Sequence, residues 1–312
     1  MIPPQDLIKI EGELTQKLNT HVESGIRNNI SRGHNNASDI GFECDAYQAL
    51  CRLKGELKPR PTVGLKKIFR VGIEWERPNI RWLQDAELQV RETSDKRFEW
   101  KEYNIVGYME ADIVIPQISK KEKFPLEHKT VSPNGFREIK KCKALGLPLT
   151  QANQPWVKKY PGQLMTYELF KGVDLGVWFF FEKTSGDFLW WLASLDYDYA
   201  ESLIKRADRC NENVAKGYLP PTIQKELCNK CDFAHTYCFP DCDYGPGFVF
   251  LSHEEAEKRL KRREVLKESH AEYQLLDKSL KDHFRGQSVI IGDFKIETTP
   301  HGNGSKVSIE KL

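Results

Sequence analysis

Residues 86–131 limit the fold more than any other part of the chain, because here the hydrophobic pattern changes from helical to strand-like. The segments AELQVRET, FEWKEYNIVGYMEADIVIP and KFPLEHKTV are rich in β-forming residues, and polar, turn-like stretches separate them. Helical patterns lie on both sides of these strands. The sequence therefore predicts an α/β fold in which helices flank a mixed central sheet.

Amphipathic spacing predicts helices over 5–30, from near Ser38 through Cys44, and over 65–84, 135–145, 160–172, 197–216 and 253–285. Pro78 is expected to kink or interrupt the third of them. Hairpins are predicted over 173–195 and at the end of the chain, the latter turning near residues 301–304. With no internal repeat or low-complexity linker, residues 1–312 are expected to form one domain: a helical N-terminal part (1–64), a core (65–200), a cysteine-rich segment (201–245), and a long helix with a hairpin (246–312).

Composition narrows the class of protein. A chain of 312 residues that is 39% hydrophobic can bury a full core. No apolar run reaches membrane-spanning length, and the N-terminus lacks a signal-peptide pattern, so a soluble cytoplasmic protein with no membrane partner is expected. Eight cysteines are too sparse for a disulfide scaffold. The net charge is only +2, and lysine and arginine cluster locally rather than in a basic tail.

A carboxylate pattern lies within the strand-like region. Asp112 ends one strand-like run, and Glu127 and Lys129, two residues apart, share one face of a later strand. An acid on each of two adjacent strands, with a lysine beside the second, is the arrangement that holds Mg²⁺ or Mn²⁺ against a phosphodiester. The lysine can orient or deprotonate the attacking water, while the metal stabilises charge on the phosphate. His128 would offer its backbone carbonyl to the ion and turn its side chain to the other face.

Two neighbouring motifs strengthen this interpretation. Glu76, four residues after Gly72, would add a carboxylate facing the metal. Gln163 and Tyr167 are one helical turn apart and so share a face, where they could touch the scissile phosphate or the nucleotide. Each motif also has a plainer explanation: an exposed helix glutamate, and a partly buried amphipathic helix.

The ordered set resembles the PD-(D/E)XK nuclease superfamily, and within it the RecB-type nucleases, including CRISPR-associated and phage-encoded exonucleases; its members here are Glu76, Asp112, Glu127-x-Lys129 and Gln163-x3-Tyr167. The similarity spans roughly residues 38–242 and implies a restriction-endonuclease-like core. RecB-type enzymes usually carry a metal-binding histidine on the helix before the strands, but none lies between His34 and Asp112. Gly72-x3-Glu76 resembles instead the lambda-type exonuclease version, where a glutamate takes that place.

A cysteine triplet forms the second constellation. Cys228, Cys231 and Cys238 have the spacing C-x2-C-x6-C, which is compatible with a zinc site or with an iron–sulfur cluster. A local zinc site would take Cys242 or His235 as a further ligand. The spacing alone does not distinguish a zinc site from an iron–sulfur cluster.

The segment SDIGFECDAY around Cys44 resembles the S-x-x-G-x-x-C element of RecB-type nucleases that hold a [4Fe-4S] cluster. This resemblance implies a cluster that clasps the N- and C-terminal segments, with Cys44, Cys228, Cys231 and Cys238 as ligands. The last spacing in the family is commonly x5, whereas here it is x6, so Cys242 is a substitute for Cys238.

Taken together, the resemblance implies a Mg²⁺- or Mn²⁺-dependent deoxyribonuclease, most simply an exonuclease acting on single-stranded DNA or DNA ends. Asp112 and Glu127 would bind the metal with help from Glu76, Lys129 would position the water, and Gln163 and Tyr167 would contact the substrate. Recombination, repair or CRISPR-type processing, with protein partners, would be its setting, in the host cytoplasm if the chain is viral. Two alternatives stay open: a non-catalytic nucleic-acid-binding or assembly protein, and a zinc-stabilised endonuclease of the same fold.

Overall fold

The computed structural model describes residues 3–93, 97–222, 226–240, 248–251, 253–268, 270–302 and 304–312. The sequence predicted one domain, whereas the chain divides into two compact units, Met1–Pro220 and Pro221–Leu312. Both units combine helices with sheets, so the predicted α/β class is confirmed at that level. Across the described ranges, no helix has both the length and the apolar character that a bilayer crossing requires.

The first unit contains most of the helices. They are α1 (Pro4–Ser24), α2 (Ala37–Ile40), α3 (Asp45–Leu53), α4 (Val63–Asp85), α5 (Pro133–Ala144), α6 (Pro155–Lys158), α7 (Tyr160–Lys171) and α8 (Tyr197–Ala215). Short 3₁₀ turns lie at Gly55–Leu57, Lys101–Tyr103 and Leu149–Gln151. Its strands are β1 (Asn35–Asn36), β2 (Val90–Glu92), β3 (Arg97–Trp100), β4 (Ile105–Tyr108), β5 (Ala111–Ile113), β6 (Phe124–Val131), β7 (Leu175–Glu182) and β8 (Phe188–Ser194).

Two sheets organise this unit. The larger has the order β2-β5-β6-β7-β8 and is mixed, because β6 and β7 pair in parallel while the other neighbours are antiparallel. The smaller has the order β1-β4-β3, with β1 parallel and β3 antiparallel to β4. Only two residues separate β4 from β5, so Glu110, which lies between them, is next to both sheets.

The larger sheet is buried on both faces, as expected for strands joined by a helical crossover. On one face, Ile80 and Leu83 of α4 pack against Phe124 and Leu126 of β6. On the other, residues of α5 and α7 pack against β7, including Phe136, Leu164 and Trp178. Alternate residues of β6 therefore face α4 and α7 in turn.

Several predicted helices differ in extent. The first ends at Ser24 rather than near residue 30, and the expected helix through Cys44 is two helices, with Cys44 as the N-cap of α3. Its sulfur accepts from the backbone N–H of Tyr47 over 3.4 Å. Pro78 lies inside the single helix α4 and does not end it.

The second unit contains α9 (Glu254–Val265), α10 (His270–His283) and a sheet of order β12-β11-β10-β9. The strands are β9 (Val249–Phe250), β10 (Val289–Ile291), β11 (Phe294–His301) and β12 (Gly304–Lys311). The prediction of one long helix over 253–285 is wrong, because a 3₁₀ turn at Leu266–Glu268 separates two helices. Arg263, 3% exposed, bonds Asp277 of α10 over 2.6 Å and so fastens the pair.

Candidate active site

The E-x-K motif lies on β6, on the face toward α7. Leu126 packs on the α4 side, and the alternation of the strand turns Glu127 and Lys129 the other way. The Nζ atom of Lys129 donates a hydrogen bond to Oε1 of Glu127, whose side chain is 1% exposed. The structure thus brings together the acid and the amine that the sequence placed two residues apart.

A second carboxylate, Glu110, faces Glu127, and the sequence analysis missed it. Ala111 of β5 pairs with Leu126 of β6, so the preceding residue of the first strand lies beside the following residue of the second. Glu110 and Asp112 have the same strand parity, so alternation alone does not distinguish them, and Asp112 is the one predicted from the sequence. Antiparallel register between the two runs is the signal that would have favoured Glu110.

The electrostatics show how closely these acids approach one another. Burial, then the charges of Glu127 and Glu76, raise the pKa of Glu110 to about 9, with Lys129 opposing them. Burial also raises the pKa of Glu127, against the influence of Lys129. Glu76 of α4 is part of this group, because its charge raises the pKa of both partners. Acids crowded in this way favour either protons or a bound cation.

Lys129 is held by the same group. Burial alone would lower its pKa, but Glu127, Tyr160 and Glu110 together raise it. The Nζ atom also lies 5.6 Å from the ring centroid of Tyr160 on α7, within the range of a cation–π contact. The ammonium therefore sits between a carboxylate and an aromatic face.

Two oxygen atoms of the site have no hydrogen-bond partner. They are Oε2 of Glu110 and Oε2 of Glu127, both buried. Buried acceptors without a donor are costly, and hard oxygen atoms on facing strands suit a divalent cation such as Mg²⁺ or Mn²⁺. Within the described ranges, no three His, Cys, Asp or Glu side chains stand in metal-binding geometry.

Asp112, the predicted metal ligand, is engaged elsewhere. Its Oδ1 atom accepts from Nζ of Lys171, at the end of α7, over 2.5 Å. The two side chains are 14% and 18% exposed. Asp112 pairs with Pro125, so it lies diagonal to Glu127 rather than opposite it.

Gln163 and Tyr167 form a hydrogen-bonded pair on α7. The Nε2 atom of Gln163 donates to the Tyr167 hydroxyl over 2.7 Å. That hydroxyl donates to the carbonyl oxygen of Tyr108 over 2.8 Å. Burial dominates the pKa of Glu127 and raises it, and Gln163 acts against burial by favouring the charged carboxylate. Tyr167 is only 1% exposed, and its predicted contact with substrate stays a prediction.

His128 turns its side chain to the α4 face. Its Nε2 atom lies 2.7 Å from Nδ2 of Asn79. Burial, then the charge of Lys129, lower the pKa of this imidazole to about 3, so the ring is neutral. The His128 side chain is thus on the opposite face of β6 from Glu127 and Lys129, and only its backbone lies between them.

The predicted cysteine ligands are divided between the two units. Cys44 belongs to the first unit, whereas Cys228, Cys231 and Cys238 belong to the second. Cys228 packs with Ala234 and Ile290, and the backbone N–H of Cys231 donates to the Cys228 carbonyl over 3.1 Å. Cys238 ends a π-helical turn, Ala234–Cys238. Cys242 lies outside the described residues, and the four-cysteine cluster stays a prediction.

No protein-family model matches the chain, and no curated protein matches its sequence. Among solved structures, the alkaline exonuclease LHK-Exo from Laribacter hongkongensis is 12% identical, with a TM-score of 0.40 over 59% of this chain and 89% of that chain. LHK-Exo in complex with dAMP gives 13% identity and a TM-score of 0.41 over the same shares. The protein SSO0001 is 15% identical, with a TM-score of 0.40 over 71% of this chain and 94% of that one.

Proposed function

We propose that the first unit is a divalent-metal-dependent nuclease whose centre is formed by Glu110, Glu127 and Lys129. The observation that carries this proposal is the pair of unpartnered, buried Oε2 atoms on facing strands beside a lysine ammonium. A purely structural sheet gains nothing from two buried acids side by side, because each raises the cost of ionising the other.

The roles follow from position. Glu110 and Glu127 would hold Mg²⁺ or Mn²⁺, with Glu76 completing the acidic set, and the bound ion would supply Lewis-acid stabilisation of charge on the phosphate. Lys129 is placed to orient the attacking water, because its ammonium donates into the same carboxylate group. Gln163 of α7 would support the charged form of Glu127, and the Tyr167 hydroxyl accepts a hydrogen bond from Gln163. We assign the direct ligand role to Glu110 rather than to Asp112, whose carboxylate is paired with Lys171.

We further propose that the substrate is DNA and that the enzyme acts on single strands or on ends, as the ordered set of residues implies. Exonuclease action requires a terminus, whereas an endonuclease, including the zinc-stabilised alternative, cuts a circle. Linear and circular single-stranded DNA of the same sequence therefore separate the two modes.

The proposal is tested by incubating labelled linear DNA with Mg²⁺ or Mn²⁺ and with wild type, Glu127→Gln or Lys129→Met. We expect metal-dependent release of nucleotides by wild type and loss of activity in both variants. Glu201→Gln is the matched control, because Glu201 is an exposed acid that pairs with Lys205 on α8. Absence of cleavage by wild type with every metal and substrate would contradict the proposal, and binding without cleavage would favour the non-catalytic alternative.

A further inference from the structure

One face of the smaller sheet carries the exposed side chain of Tyr108. Along β4, Ile105 and then Met109 pack in the core with Phe98. Tyr108, the exposed last residue of β4, turns to the opposite face. Glu110 of the proposed nuclease centre follows two residues later in the chain.

Tyr108 offers an exposed aromatic ring on a fixed backbone. Its side chain is 58% exposed, although it lies only two residues before the partly buried Glu110. Its carbonyl accepts from Tyr167, which accepts from Gln163. These hydrogen bonds fix the backbone of Tyr108 against α7.

Arg97 lies directly across from Tyr108. The two residues are partners in the antiparallel pairing of β3 and β4, so their side chains leave the sheet on the same face, at the separation of a cross-strand pair. Arg97 is 47% exposed, and its guanidinium lies 3.2 Å from Glu99 on the same strand. An exposed ion pair of this kind is weak, and a phosphate can displace its acid.

His34 extends this face on the far side of β4. Asn35 pairs in parallel with Ile105 on the core side, so the preceding residue, His34, turns to the face of Tyr108. Its pKa is lowered by burial and then by three guanidinium groups, those of Arg32, Arg97 and Arg52, with the Glu99 carboxylate opposing them. The charges that His34 meets are therefore predominantly positive.

Two of these arginines are anchored within the protein. Arg32 bonds the Asp39 carboxylate over 2.6 Å, and Asp39 also accepts from Lys159 over 3.1 Å, so one acid serves two cations. Arg52 bonds the neutral side chain of Asn211 over 2.5 Å. The positive charge near His34 thus exceeds what the neighbouring carboxylates can balance.

We propose that Tyr108, Arg97 and His34 form a strand-binding face that holds a single nucleic-acid strand as it enters the carboxylate site. Tyr108 would stack on an unpaired base, and Arg97 and His34 would face backbone phosphates. A single strand fits this face better than a duplex, because the bases of a duplex already stack on one another and offer no free surface to a side chain. The inference rests on the proposed nuclease function and specifies the form of its substrate.

The test is binding without hydrolysis. The full-length protein is titrated against fluorescein-labelled oligothymidylate of about 12 nucleotides, within the site sizes of single-strand-binding folds, in the presence of a metal chelator, with fluorescence anisotropy as readout. We expect Tyr108→Ala to weaken binding about 5- to 100-fold, the range for losing one stacked base, and Tyr108→Phe to retain it. Arg97→Gln should weaken binding and reduce the slope of log affinity against log salt by about one.

Controls make the outcome specific. Arg285→Gln removes another exposed arginine that pairs with a nearby acid, Asp282, and should leave affinity unchanged. On the duplex of the same length, Tyr108→Ala should have little effect. Oligothymidylate binding should also raise the pKa of His34, measured from its ring proton resonances. Unchanged affinity in Tyr108→Ala and Arg97→Gln, or equal losses on duplex and single strand, would overturn the strand-binding face. Cleavage by wild type in the same preparation would then leave the nuclease function standing.

Discussion

The ammonium of Lys171 lies 2.5 Å from Oδ1 of Asp112. This contact distinguishes Asp112, within β5, from Glu110, which lies just before that strand. Glu110 faces Glu127 with a buried oxygen that has no partner, while Asp112 already has a cation. Glu127 also meets a lysine, but it keeps a buried Oε2 atom without a partner, and Asp112 has no such atom. The two carboxylates, two residues apart, should therefore differ in importance.

Glu110→Gln and Asp112→Asn measure this difference directly. We expect Glu110→Gln to lower the rate of Mn²⁺-dependent cleavage by about 10³-fold, because a metal ion contributes several kcal/mol to the transition state. Asp112→Asn should cost only about 10-fold, the lower end for groups that position a metal site. The rates are measured at saturating Mn²⁺. The reverse order of losses would return the ligand role to Asp112.

Lys129→Met should separate chemistry from metal binding. The ammonium competes with a cation for the Glu127 carboxylate, so its removal should leave Mn²⁺ affinity equal or higher, while cleavage falls by about 10²- to 10⁴-fold. Calorimetric titration with Mn²⁺ gives the affinity, and a nucleotide-release assay gives the rate. Lys205→Met, which removes an exposed lysine of α8, serves as the control. Joint loss of metal binding and cleavage would argue against a role for Lys129 in the chemical step.

Glu168 should make the stability of the protein depend on pH. It is fully buried on α7, and neither carboxylate oxygen has a hydrogen-bond partner. Burial, then the charge of Asp174, raise its pKa from 4.5 to about 8. The folded state therefore keeps a proton that the unfolded state releases, and the free energy of unfolding falls as pH rises from 4.5 to about 8.

Glu168→Gln should remove that slope, which is at most about 1.4 kcal/mol per pH unit. Urea unfolding of wild type and variant across this pH range gives the comparison. Glu201→Gln again provides a control, since Glu201 is exposed. Parallel stability curves for wild type and Glu168→Gln would contradict the expectation.

Close contact between α2 and α7 requires glycine on both helices. A Cβ atom added at Gly162 would lie 2.5 Å from the Cα atom of Gly41, and one added at Gly41 would lie 2.3 Å from the Lys159 carbonyl oxygen. We expect Gly162→Ala to destabilise the protein by about 1–3 kcal/mol through overpacking. Gly12→Ala, inside α1 with no atom within 4 Å of the added Cβ, should instead stabilise it by about 0.5–1 kcal/mol. Thermal unfolding, compared with wild type, should show a lower melting temperature for Gly162→Ala and a higher one for Gly12→Ala.

Metal analysis tests the cysteine prediction. If Cys228, Cys231 and Cys238 take part in a [4Fe-4S] cluster, protein purified without oxygen should be brown and contain iron and sulfide, and Cys231→Ala should lose both. Cys142→Ala, which changes a buried thiol of the first unit, should keep them. Zinc in place of iron would favour the local zinc site.

The sequence was informative where the pattern is local. Strand periodicity correctly placed Glu127 and Lys129 on one face, because side-chain alternation depends only on neighbouring residues. Proline is usually a helix breaker, but Pro78 is tolerated because packing of Ile80 and Leu83 stabilises the helix beyond it. In the first case the strand itself determines which residues share a face; in the second, the contacts of one helix determine that it continues.

Non-local features were beyond such patterns. The position of Glu110 opposite Glu127 follows from the register between β5 and β6, and the partner of Asp112 comes from a helix 59 residues later in the chain. The break between α9 and α10 likewise depends on Arg263 meeting Asp277 across the helix pair. Periodicity within a segment carries no information about such pairings.

The parallel pairing of β6 and β7 makes the larger sheet close late in synthesis. The connection between these strands contains α5, α6 and α7, so β6 waits for its second neighbour until all three helices have been made. A nascent chain that ends before β7 carries Glu110, Glu127 and Lys129 on an incomplete sheet. The centre proposed for cleavage is therefore complete only after most of the first unit has been synthesised.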